Sequence, residues 1–409
     1  SLQPSEPRRR ERRSMTLGAP ASDAGPSPFL REWVELPEDV IGPSSGVGLR
    51  AVSFNILAEG LARGGDAPAE DAFEPCPAAF EPYGAGGVVY REGVECARSG
   101  FRFRCGAESL AWSRRWPSLL ALILEHDPDL IGLQEIDLMD SKEERLQAHD
   151  KQIRRDLNQA GYDGTFAKKN GRACDGVALF WRRGRLKQAG RTETWRLGQS
   201  VHVALAQPLC LDGQWRFTAV ATHLKAGLTE DAETARVQQA EVLLQKASRH
   251  ANLVLLADLN SHCTPVALGG GPEAASVAAE EERKLEPRAY PLLAGSLSSA
   301  CRDVLGDEPN FTCWGGWEDR EVRLICDYVL VKGDLLRPRR VLQVPDPLEV
   351  VRYAARLPND EFPSDHVPIV ADFAVACSNG ELQEVDALSA GPPGSVSSGA
   401  PSPKRLRVP

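Results

Sequence analysis

Polar side chains that could bind a cation or transfer a proton stand at the borders of short apolar segments of this sequence. Ser364-Asp365-His366 places a hydroxyl, an acid and an imidazole directly before the apolar run Val367–Val370. Strand side chains alternate between the two faces of a sheet, so Asp258 and Asn260, which follow Leu253–Ala257, are predicted to point the same way. Residues at strand ends that a buried sheet holds can converge on one pocket. Three further members of the set, each at the end of an apolar segment, are Asn55, Glu135 and His223.

The chemical types of these side chains favour a hard divalent cation. Carboxylate and amide oxygens suit Mg²⁺ or Mn²⁺, whereas a zinc site would more often use several His or Cys residues. Mg²⁺ is commonly held by one carboxylate together with phosphate oxygens of the substrate. The two histidines suit phosphate binding and proton transfer, and Asp327, which begins the apolar run Asp327–Leu330, could orient one of them. Together the groups indicate metal-assisted attack of water on a phosphate ester.

Each of these residues also has a structural interpretation when it is taken alone. Asn55 is typical of a turn or strand end, and Glu135 of a cap or an exposed acid. A single histidine such as His223 is usually a satisfied structural residue, and Asp258-Leu259-Asn260 could form a turn with two Asx groups. The joint order is far rarer than any one member, so the set favours a shared site.

The elements that must position these groups follow an α/β pattern. Apolar periodicity predicts helices over about 109–126 and 230–249. Asp129–Glu135 has little polar interruption, which predicts a strand that is buried on both faces. Short apolar strands alternate with these helices, and no internal repeat is present.

The composition indicates one large domain between two polar tails. The chain has 409 residues, of which 42% are apolar, and this is enough for a packed core. Residues 1–30 are rich in Arg, Ser and Pro, and residues 378–409 in Gly, Pro and Ser, so both are predicted to be disordered. The domain is predicted over about 48–375, with insertions at about 78–108 and 266–300, the second partly helical.

Several classes of protein are disfavoured by what the sequence lacks. No apolar run approaches the roughly 20 residues that cross a bilayer, and no apolar stretch follows the N-terminal arginines, which argues against a secretory signal. Ten cysteines without a CxxC pair indicate free thiols in a reducing compartment, so a cytoplasmic location is expected. The basic cluster Lys404–Arg407 fits nuclear import or a solvated tail, and both interpretations stay open. Gly42–Gly46 matches a serine-hydrolase pattern but precedes a strand and contains Pro, so it is interpreted as chance.

The order of the polar motifs carries a family resemblance that covers about residues 48–375. The motifs are Phe54-Asn55, Leu133-Gln134-Glu135, Thr222-His223, Asp258-Leu259-Asn260, Asp327-Tyr328 and Ser364-Asp365-His366. As an ordered set they resemble the endonuclease/exonuclease/phosphatase superfamily, whose fold is that of deoxyribonuclease I. Local matches at Asp175–Phe180 and His223–Ala226 are most similar to the nocturnin and deadenylase branch.

The resemblance implies a fold, a cofactor and a role for each site residue. The implied fold is a four-layer α/β sandwich, in which two packed mixed β-sheets are flanked by helices. The implied cofactor is Mg²⁺, with Mn²⁺ as a substitute. Asp258 would position or deprotonate the attacking water, and His366, oriented by Asp327, would stabilise charge on phosphorus. The implied metal ligands are Glu135, Asn55 and Asp365. The other implied catalytic residues are His223 and Asn260, which would hold the scissile phosphate. The implied substrate-binding residues are Lys168, Lys169, Lys225 and Arg323.

The resemblance leaves the substrate open between two adenine-containing phosphate esters. The branch implies a 3′-5′ exonuclease on poly(A) tails, or a phosphatase that removes the 2′-phosphate of NADP(H), while another phosphatase of the same fold is a third alternative. Gly227 stands where the nocturnin pattern has an arginine, and this weakens the dinucleotide alternative. The net charge of −9 indicates weak binding of long RNA by the chain alone, so a protein adaptor for RNA targeting is a further expectation.

Overall fold

The computed structural model describes residues 27–42, 44–65, 87–90, 102–139, 148–268, 284–318 and 320–376. Most of the predicted N-terminal tail and the whole of the predicted C-terminal tail with its basic cluster lie outside the described residues. So do residues 78–86 and 91–101 of the first predicted insertion and residues 269–283 of the second.

Two mixed β-sheets form the centre of the domain. The first has the strand order β1-β20-β21-β2-β6-β8-β7, and the second has the order β10-β11-β12-β13-β19-β16, with β9 paired to β11. The strands of the first sheet are β1 (Trp33–Glu35), β2 (Ser44–Asn55), β6 (Leu130–Asp137), β7 (Tyr162–Lys168), β8 (Asp175–Arg182), β20 (Leu336–Leu342) and β21 (Ile369–Ala376). Those of the second are β9 (Leu186–Gln188), β10 (Glu193–Arg196), β11 (Val203–Leu211), β12 (Trp215–His223), β13 (Leu253–Asp258), β16 (Ser298–Ser299) and β19 (Asp327–Lys332).

The two sheets pack face to face because each strand presents alternate apolar residues to the space between them. Leu179 of β8 and Leu256 of β13 share one buried cluster, which fills this space. Gly132 of β6 allows the close approach, since a Cβ atom at this position would lie 2.5 Å from the Cβ of Leu256. The predicted sandwich of two mixed sheets is therefore confirmed.

Helices cover the outer face of each sheet and complete the four layers. The helix α3 (Trp112–Glu125) packs on the first sheet through Trp116 and Leu119. The helix α5 (Glu230–Ala247) packs on the second sheet through Ala240 and Leu243. The two predicted helices are confirmed as α3 and α5, and α5 begins where the Thr229 hydroxyl accepts a hydrogen bond from the Ala232 N–H. The helices are α1 (Glu38–Ile41), α2 (Ala107–Leu110), α3 (Trp112–Glu125), α4 (Asp150–Gln159), α5 (Glu230–Ala247), α6 (Ala289–Ala294), α7 (Ala300–Leu305) and α8 (Pro347–Val351).

Smaller sheets lie beside the sandwich and use parts of both predicted insertions. One has the order β15-β14-β4-β18-β17, and the other pairs β3 with β5. Their strands are β3 (Arg63–Gly65), β4 (Gly87–Tyr90), β5 (Arg102–Gly106), β14 (Val266–Leu268), β15 (Lys284–Leu285), β17 (Cys313–Gly316) and β18 (Arg320–Leu324). Where they are described, the predicted insertions therefore contain strands as well as α6 and part of α2.

The strand ends that carry the predicted site residues meet at one edge of the sandwich. β2 runs parallel to β6 with Asn55 opposite Gln134, and β12 runs parallel to β13 with His223 opposite Asp258. β19 is antiparallel to β13, so its first residue, Asp327, lies opposite Asp258. The registers of both sheets therefore bring their polar ends to the same place.

Two local predictions about these strand ends are wrong. The strand that contains Glu135 does not end there, because β6 continues to Asp137 and Glu135 is the extra residue of a bulge, with φ of 57°. Asn260 does not continue the strand alternation of Asp258, because its φ is 48° and it lies beyond the end of β13. Both residues have left-handed backbone conformations, which apolar patterning does not predict.

None of the described helices is long and apolar enough to cross a membrane. The cysteines of the described part of the chain are free thiols, as predicted.

Candidate active site

Side chains from the two sheets meet across the edge of the sandwich. The Asn55 amide Nδ2 of the first sheet donates to Oδ2 of Asp258 in the second sheet at 2.8 Å. The Asn55 Oδ1 atom accepts from the Leu57 N–H at 3.0 Å, which fixes the orientation of the amide. Both side chains are buried. This contact joins the two sheets at the point where a shared site would lie.

The bulge in β6 turns the Glu135 carboxylate toward the second sheet. Its Oε2 accepts a hydrogen bond from the Ala58 N–H at 3.2 Å, and its Oε1 lies 3.9 Å from Nε2 of His223. Bulges often change the direction of a side chain next to an active site. Without the extra residue, strand alternation would direct Glu135 to one face of the sheet and away from this edge.

His223 lies at the centre of the polar cluster. Its Nε2 lies 3.6 Å from Oδ2 of Asp258 and 2.9 Å from the amide nitrogen of Asn260. Its Nδ1 lies 3.4 Å from the Lys169 ammonium. The amide nitrogen of Asn260 can only donate and makes the shorter contact, so Nε2 accepts from it. Burial, and then the charge of Lys169, lowers the pKa of His223 well below its usual value, so the ring is neutral.

His366 forms a buried pair with Asp327. Its Nδ1 lies 2.8 Å from Oδ2 of Asp327, which also accepts from the Thr312 hydroxyl at 2.7 Å. Burial alone would lower the pKa of His366, but the Asp327 carboxylate raises it well above the usual value. The ring is therefore held as a cation whose orientation is set by Asp327, and such a group can stabilise negative charge on a phosphate.

The carboxyl groups at this edge are held close together in a poorly solvated place. Burial, and then the charge of Asp327, raises the pKa of Asp258 to about 7. Burial also raises the pKa of Asp365 to about 6, although His366 opposes this shift and Glu135 adds to it. Oδ1 of Asp327 and Oδ1 of Asp365 are buried without a hydrogen-bond partner among the described residues. Unpaired buried oxygens are costly unless a cation satisfies them.

The donor set fits a hard divalent cation. Ligand atoms of Glu135, His223 and Asp258 lie within 4.8 Å of one another, and the same holds for Asp258, Asp327 and His366. A third such group contains Cys313, Asp365 and His366, but burial raises the pKa of the Cys313 thiol to about 12, so it is a poor ligand at neutral pH. Carboxylate oxygens are therefore the best ligands available, and they suit Mg²⁺ or Mn²⁺.

The predicted substrate-binding residues have different surroundings. Lys168 donates to the carbonyl oxygens of its own loop at 2.7–3.2 Å, so its ammonium stabilises residues 169–173. Lys169 is paired with Asp175 at 2.6 Å and lies behind His223. Lys225 is exposed two residues after His223, and its ammonium forms no ion pair within the described part of the chain. Arg323 is buried, with its guanidinium 5.1 Å from the Trp314 ring.

The loop after His223 explains why this chain has a glycine at position 227. Gly227 has φ of 118°, a backbone conformation that an arginine would rarely adopt. Its carbonyl oxygen accepts from the buried Arg236 guanidinium at 2.8 Å, which also donates to the Lys225 carbonyl oxygen at 2.7 Å. The loop is therefore fixed by Arg236 of α5, and the backbone conformation that it imposes at position 227 disfavours an arginine there.

Arg115 has a role at this edge that sequence patterning alone did not assign. It is fully buried in α3, and its guanidinium donates to the carbonyl oxygens of Ile56 and Leu57 at 2.8 Å and of Pro363 at 3.2 Å. These carbonyls belong to the segments that follow Asn55 and precede Asp365. An arginine within a predicted apolar helix face was the available signal, since a buried guanidinium needs acceptors.

Comparison with known proteins identifies the family. Residues 104–366 match the Endonuclease/Exonuclease/phosphatase family. Nocturnin of Homo sapiens is 27% identical over 381 residues, which cover 89% of this chain and 72% of that protein. Nocturnin of Drosophila melanogaster is 28% identical over 298 residues, which cover 66% of this chain but only 43% of that protein.

A solved structure agrees with the fold. The crystal structure of ANGEL2, described as a 2′,3′-cyclic phosphatase in complex with adenosine-2′,3′-vanadate, superposes with a TM-score of 0.55 at 17% identity. The match covers 85% of this chain and 99% of that one. At this identity the likeness concerns the fold alone. Because the matched family spans more than half of the chain, this protein belongs to the Endonuclease/Exonuclease/phosphatase family, on its nocturnin-like branch, and is a phosphoester hydrolase.

Proposed function

We propose that this protein is a Mg²⁺-dependent 3′-5′ exoribonuclease that removes adenylate residues from poly(A) tails. The observation that carries the proposal is the convergence of Glu135 and Asp258 on Nε2 of the neutral His223 ring, at 3.9 and 3.6 Å. Two carboxylates and a neutral imidazole at one point suit a cation and a phosphate together.

The chain's own residues would divide the hydrolysis between them. Glu135, with Asn55 and Asp365, would hold Mg²⁺, which when bound supplies polarisation of a phosphate oxygen. His223 and Asn260 would hold the scissile phosphate. The raised pKa of Asp258, about 7, suits a group that takes a proton from water near neutral pH.

The protonated His366 would face the developing negative charge on phosphorus. Its cationic state depends on Asp327, whose carboxylate is itself fixed by the Thr312 hydroxyl. Asp327 therefore acts through His366 as a positioning residue. In this proposal the order of contacts runs from Thr312 to Asp327 to His366 to substrate.

The choice of a poly(A) substrate rests on the deadenylase branch and on the path of the loop after His223. Gly227 has no side chain to bind an additional phosphate, and Lys168 already donates to three carbonyls. This leaves fewer positively charged side chains to bind a dinucleotide with several phosphates. The net charge of −9 further suggests that an adaptor protein brings long RNA to the enzyme.

A second candidate is removal of the 2′-phosphate of NADP(H). The exposed Lys225, without an ion pair among the described residues, favours it, because a free cation beside His223 can bind a terminal phosphate. Lys169 lies near the same histidine. This activity would use the same cation and the same attacking water.

The two candidates are separated by one assay with two substrates. The full chain is incubated with Mg²⁺ and either an oligonucleotide with a 3′ adenylate tail or NADP⁺, and the products are resolved by chromatography. Release of AMP from the oligonucleotide supports the exoribonuclease, whereas release of phosphate from NADP⁺ supports the phosphatase. Glu135→Ala should be inactive in both arms. Turnover that persists in EDTA, or in Glu135→Ala, would contradict the metal-dependent mechanism.

A further inference from the structure

A closed turn before β11 places a second histidine beside His223. The ring of His202 packs against that of His223 in an edge-to-face arrangement, with centroids 6.3 Å apart. The Ser200 hydroxyl donates to the Leu197 carbonyl oxygen at 2.8 Å, and the His202 N–H donates to Ser200 Oγ at 3.3 Å. The Leu197 N–H also donates to the His202 carbonyl oxygen at 3.2 Å. These bonds fix the backbone that carries His202.

Gln239 of α5 determines which nitrogen of His202 carries the proton. The Lys225 N–H can only donate, so the Gln239 atom that it contacts at 2.9 Å is the amide oxygen. The other end of the amide is therefore NH₂, which lies 3.1 Å from Ser200 Oγ and 3.1 Å from Nδ1 of His202. Nδ1 accepts this hydrogen bond, and the neutral ring carries its proton on Nε2.

The protonated nitrogen of His202 lies on the edge of the ring away from α5. Among the described residues, no protein acceptor lies within hydrogen-bond distance of Nε2, and this atom is not among the buried unpaired ones. His202 as a whole residue is only 7% exposed, so its Nε2–H group has little access to solvent and lies next to the candidate active site. Burial, and then the charges of Lys169 and Lys225, lowers the pKa of His202 to about 4, which agrees with a neutral ring.

We propose that His202 is a specificity-determining residue whose Nε2–H donates a hydrogen bond to the substrate phosphate next to the one that is hydrolysed. This inference rests on the proposed function. Lys169 and Lys225 both act on His202 electrostatically, so an oxygen placed there would lie in a positive field. A phosphate oxygen suits such a field better than a neutral hydroxyl does. In an adenylate tail, the group concerned is the phosphate one nucleotide 5′ of the cleaved bond.

Gln239 supports this contact without touching substrate. Its amide links the Lys225 N–H to the His202 ring, and therefore couples the loop after His223 to the donor. Gln239 is buried; its amide oxygen accepts from Lys225, and its amide NH₂ contacts Ser200 and His202. We assign it as a positioning residue that keeps the proton on Nε2.

Two substitutions at His202 form a matched pair. The amide nitrogen of a glutamine can take the place of Nε2, whereas that of an asparagine reaches only the place of Nδ1. His202→Gln should keep KM for the adenylate-tailed oligonucleotide near the wild-type value. His202→Asn should raise KM ~10-fold with little change in kcat, the usual effect of losing one hydrogen bond to a charged group. If His202 had only a structural role, both substitutions would change KM by a similar factor.

The identity of the substrate group is tested by changing the substrate. An oligonucleotide with an uncharged methylphosphonate in place of the neighbouring phosphate should raise the wild-type KM by a similar factor. His202→Asn should then cause no further increase with this substrate, because the contact is already absent. If His202→Asn raised KM for the methylphosphonate substrate by the same factor as for the unmodified one, the assignment to that phosphate would be overturned.

The tautomer is measured directly in the free protein. Long-range ¹H–¹⁵N spectra identify the protonated nitrogen of each of the seven histidines. A proton on Nε2 of His202 supports the proposal, and a proton on Nδ1 overturns it. If the wild-type protein does not cleave adenylate tails, the proposed function fails on its own. The contact is then decided by titration with the dinucleotide pApA and Mg²⁺, in which an unperturbed His202 Nε2–H signal would overturn the inference.

Discussion

The two ends of the central strands are both rich in charge, but their charges are arranged in opposite ways. At one end, the Asp129 carboxylate, just before β6, lies 2.8 Å from Arg185 and 3.4 Å from Arg182. The Asp372 carboxylate of β21 pairs with Arg50 at 2.6 Å and with Arg340 at 2.7 Å. We call this set of six residues the ion-pair end. Every carboxylate named here has guanidinium partners, so it needs no added ion.

At the site end, carboxylates lie beside carboxylates and histidines. The same strand β6 that follows Asp129 carries Glu135, and there the nearest charged neighbours include Asp258 and Asp365. Two carboxylate oxygens are buried without a partner among the described residues. At the ion-pair end, arginines balance the carboxylate charges. At the site end, carboxylates lie close together and two of their oxygens have no partner among the described residues, as in a site that binds a cation.

The largest expected effect comes from removing one carboxylate at the site end. Glu135→Gln keeps the shape of the side chain but removes the charge of the proposed main metal ligand. Turnover should fall at least ~10³-fold, because a lost cation withdraws several kcal/mol of charge stabilisation from the transition state. Steady-state assays with the adenylate-tailed oligonucleotide measure this.

The matched control is Asp129→Asn, which removes a carboxylate directly before the same strand, at the ion-pair end. Turnover should stay near the wild-type rate, while the free energy of unfolding should fall by ~1 kcal/mol, because these pairs are partly exposed. If Asp129→Asn abolished activity, or if Glu135→Gln remained within tenfold of wild type, the division between the two ends would be wrong.

A smaller loss of activity is expected at His366. His366→Ala should lower kcat ~10²–10⁴-fold, the usual contribution of a positioned acid–base group. Asp327→Asn should keep the orienting hydrogen bond but lower the pKa of His366, because the charge that raises this pKa is removed. Its kcat should therefore fall less than that of His366→Ala, and its pH profile should shift to lower pH. A wild-type rate in purified His366→Ala would remove this residue from the mechanism.

Much of the site end could be predicted from the sequence, because strand ends are marked by where apolar runs stop. Asn55, His223 and Asp258 end their strands as predicted, and Asp327 begins one. Parallel pairing of β2 with β6 and of β12 with β13 then brings them together. The types of these residues by themselves predict cation-assisted hydrolysis.

The parts that could not be predicted depend on backbone conformation or on contacts distant in sequence. The bulge at Glu135 requires a positive φ in a residue that usually avoids it. Around His223, Lys169 pairs with Asp175 and Gln239 contacts His202, and no local spacing predicts these pairs. The ion-pair end was also missed, because its members are separated by up to 322 residues, as in Arg50 and Asp372.

A bound cation should stabilise the folded protein through the site end and not through the ion-pair end. If Mg²⁺ binds only the folded protein, a concentration of 100 times its Kd raises the free energy of unfolding by ~2.7 kcal/mol. Thermal unfolding with and without Mg²⁺ measures this for the wild type. Glu135→Gln should lose most of the increase, whereas Asp129→Asn should retain it. An equal increase in both variants would place the cation outside the proposed site.

The smallest expected effect concerns the response of the ion-pair end to acid. Burial, and then the charges of Arg31 and Arg50, lowers the pKa of His126 from 6.5 to about 4, and the His126 carbonyl oxygen accepts from Arg50 at 2.6 Å. Between these two values the unfolded chain binds a proton at this ring and the folded chain does not, so stability falls as pH decreases through this window. His126→Gln cannot take up this proton, and should therefore lose ~1 kcal/mol less than wild type between about pH 7 and about pH 5, after allowance for the partial exposure of the ring. Urea unfolding at the two pH values measures the difference. An identical loss in both proteins would show that acid acts elsewhere, and the ion-pair end would then owe its stability to its carboxylates and guanidinium groups alone.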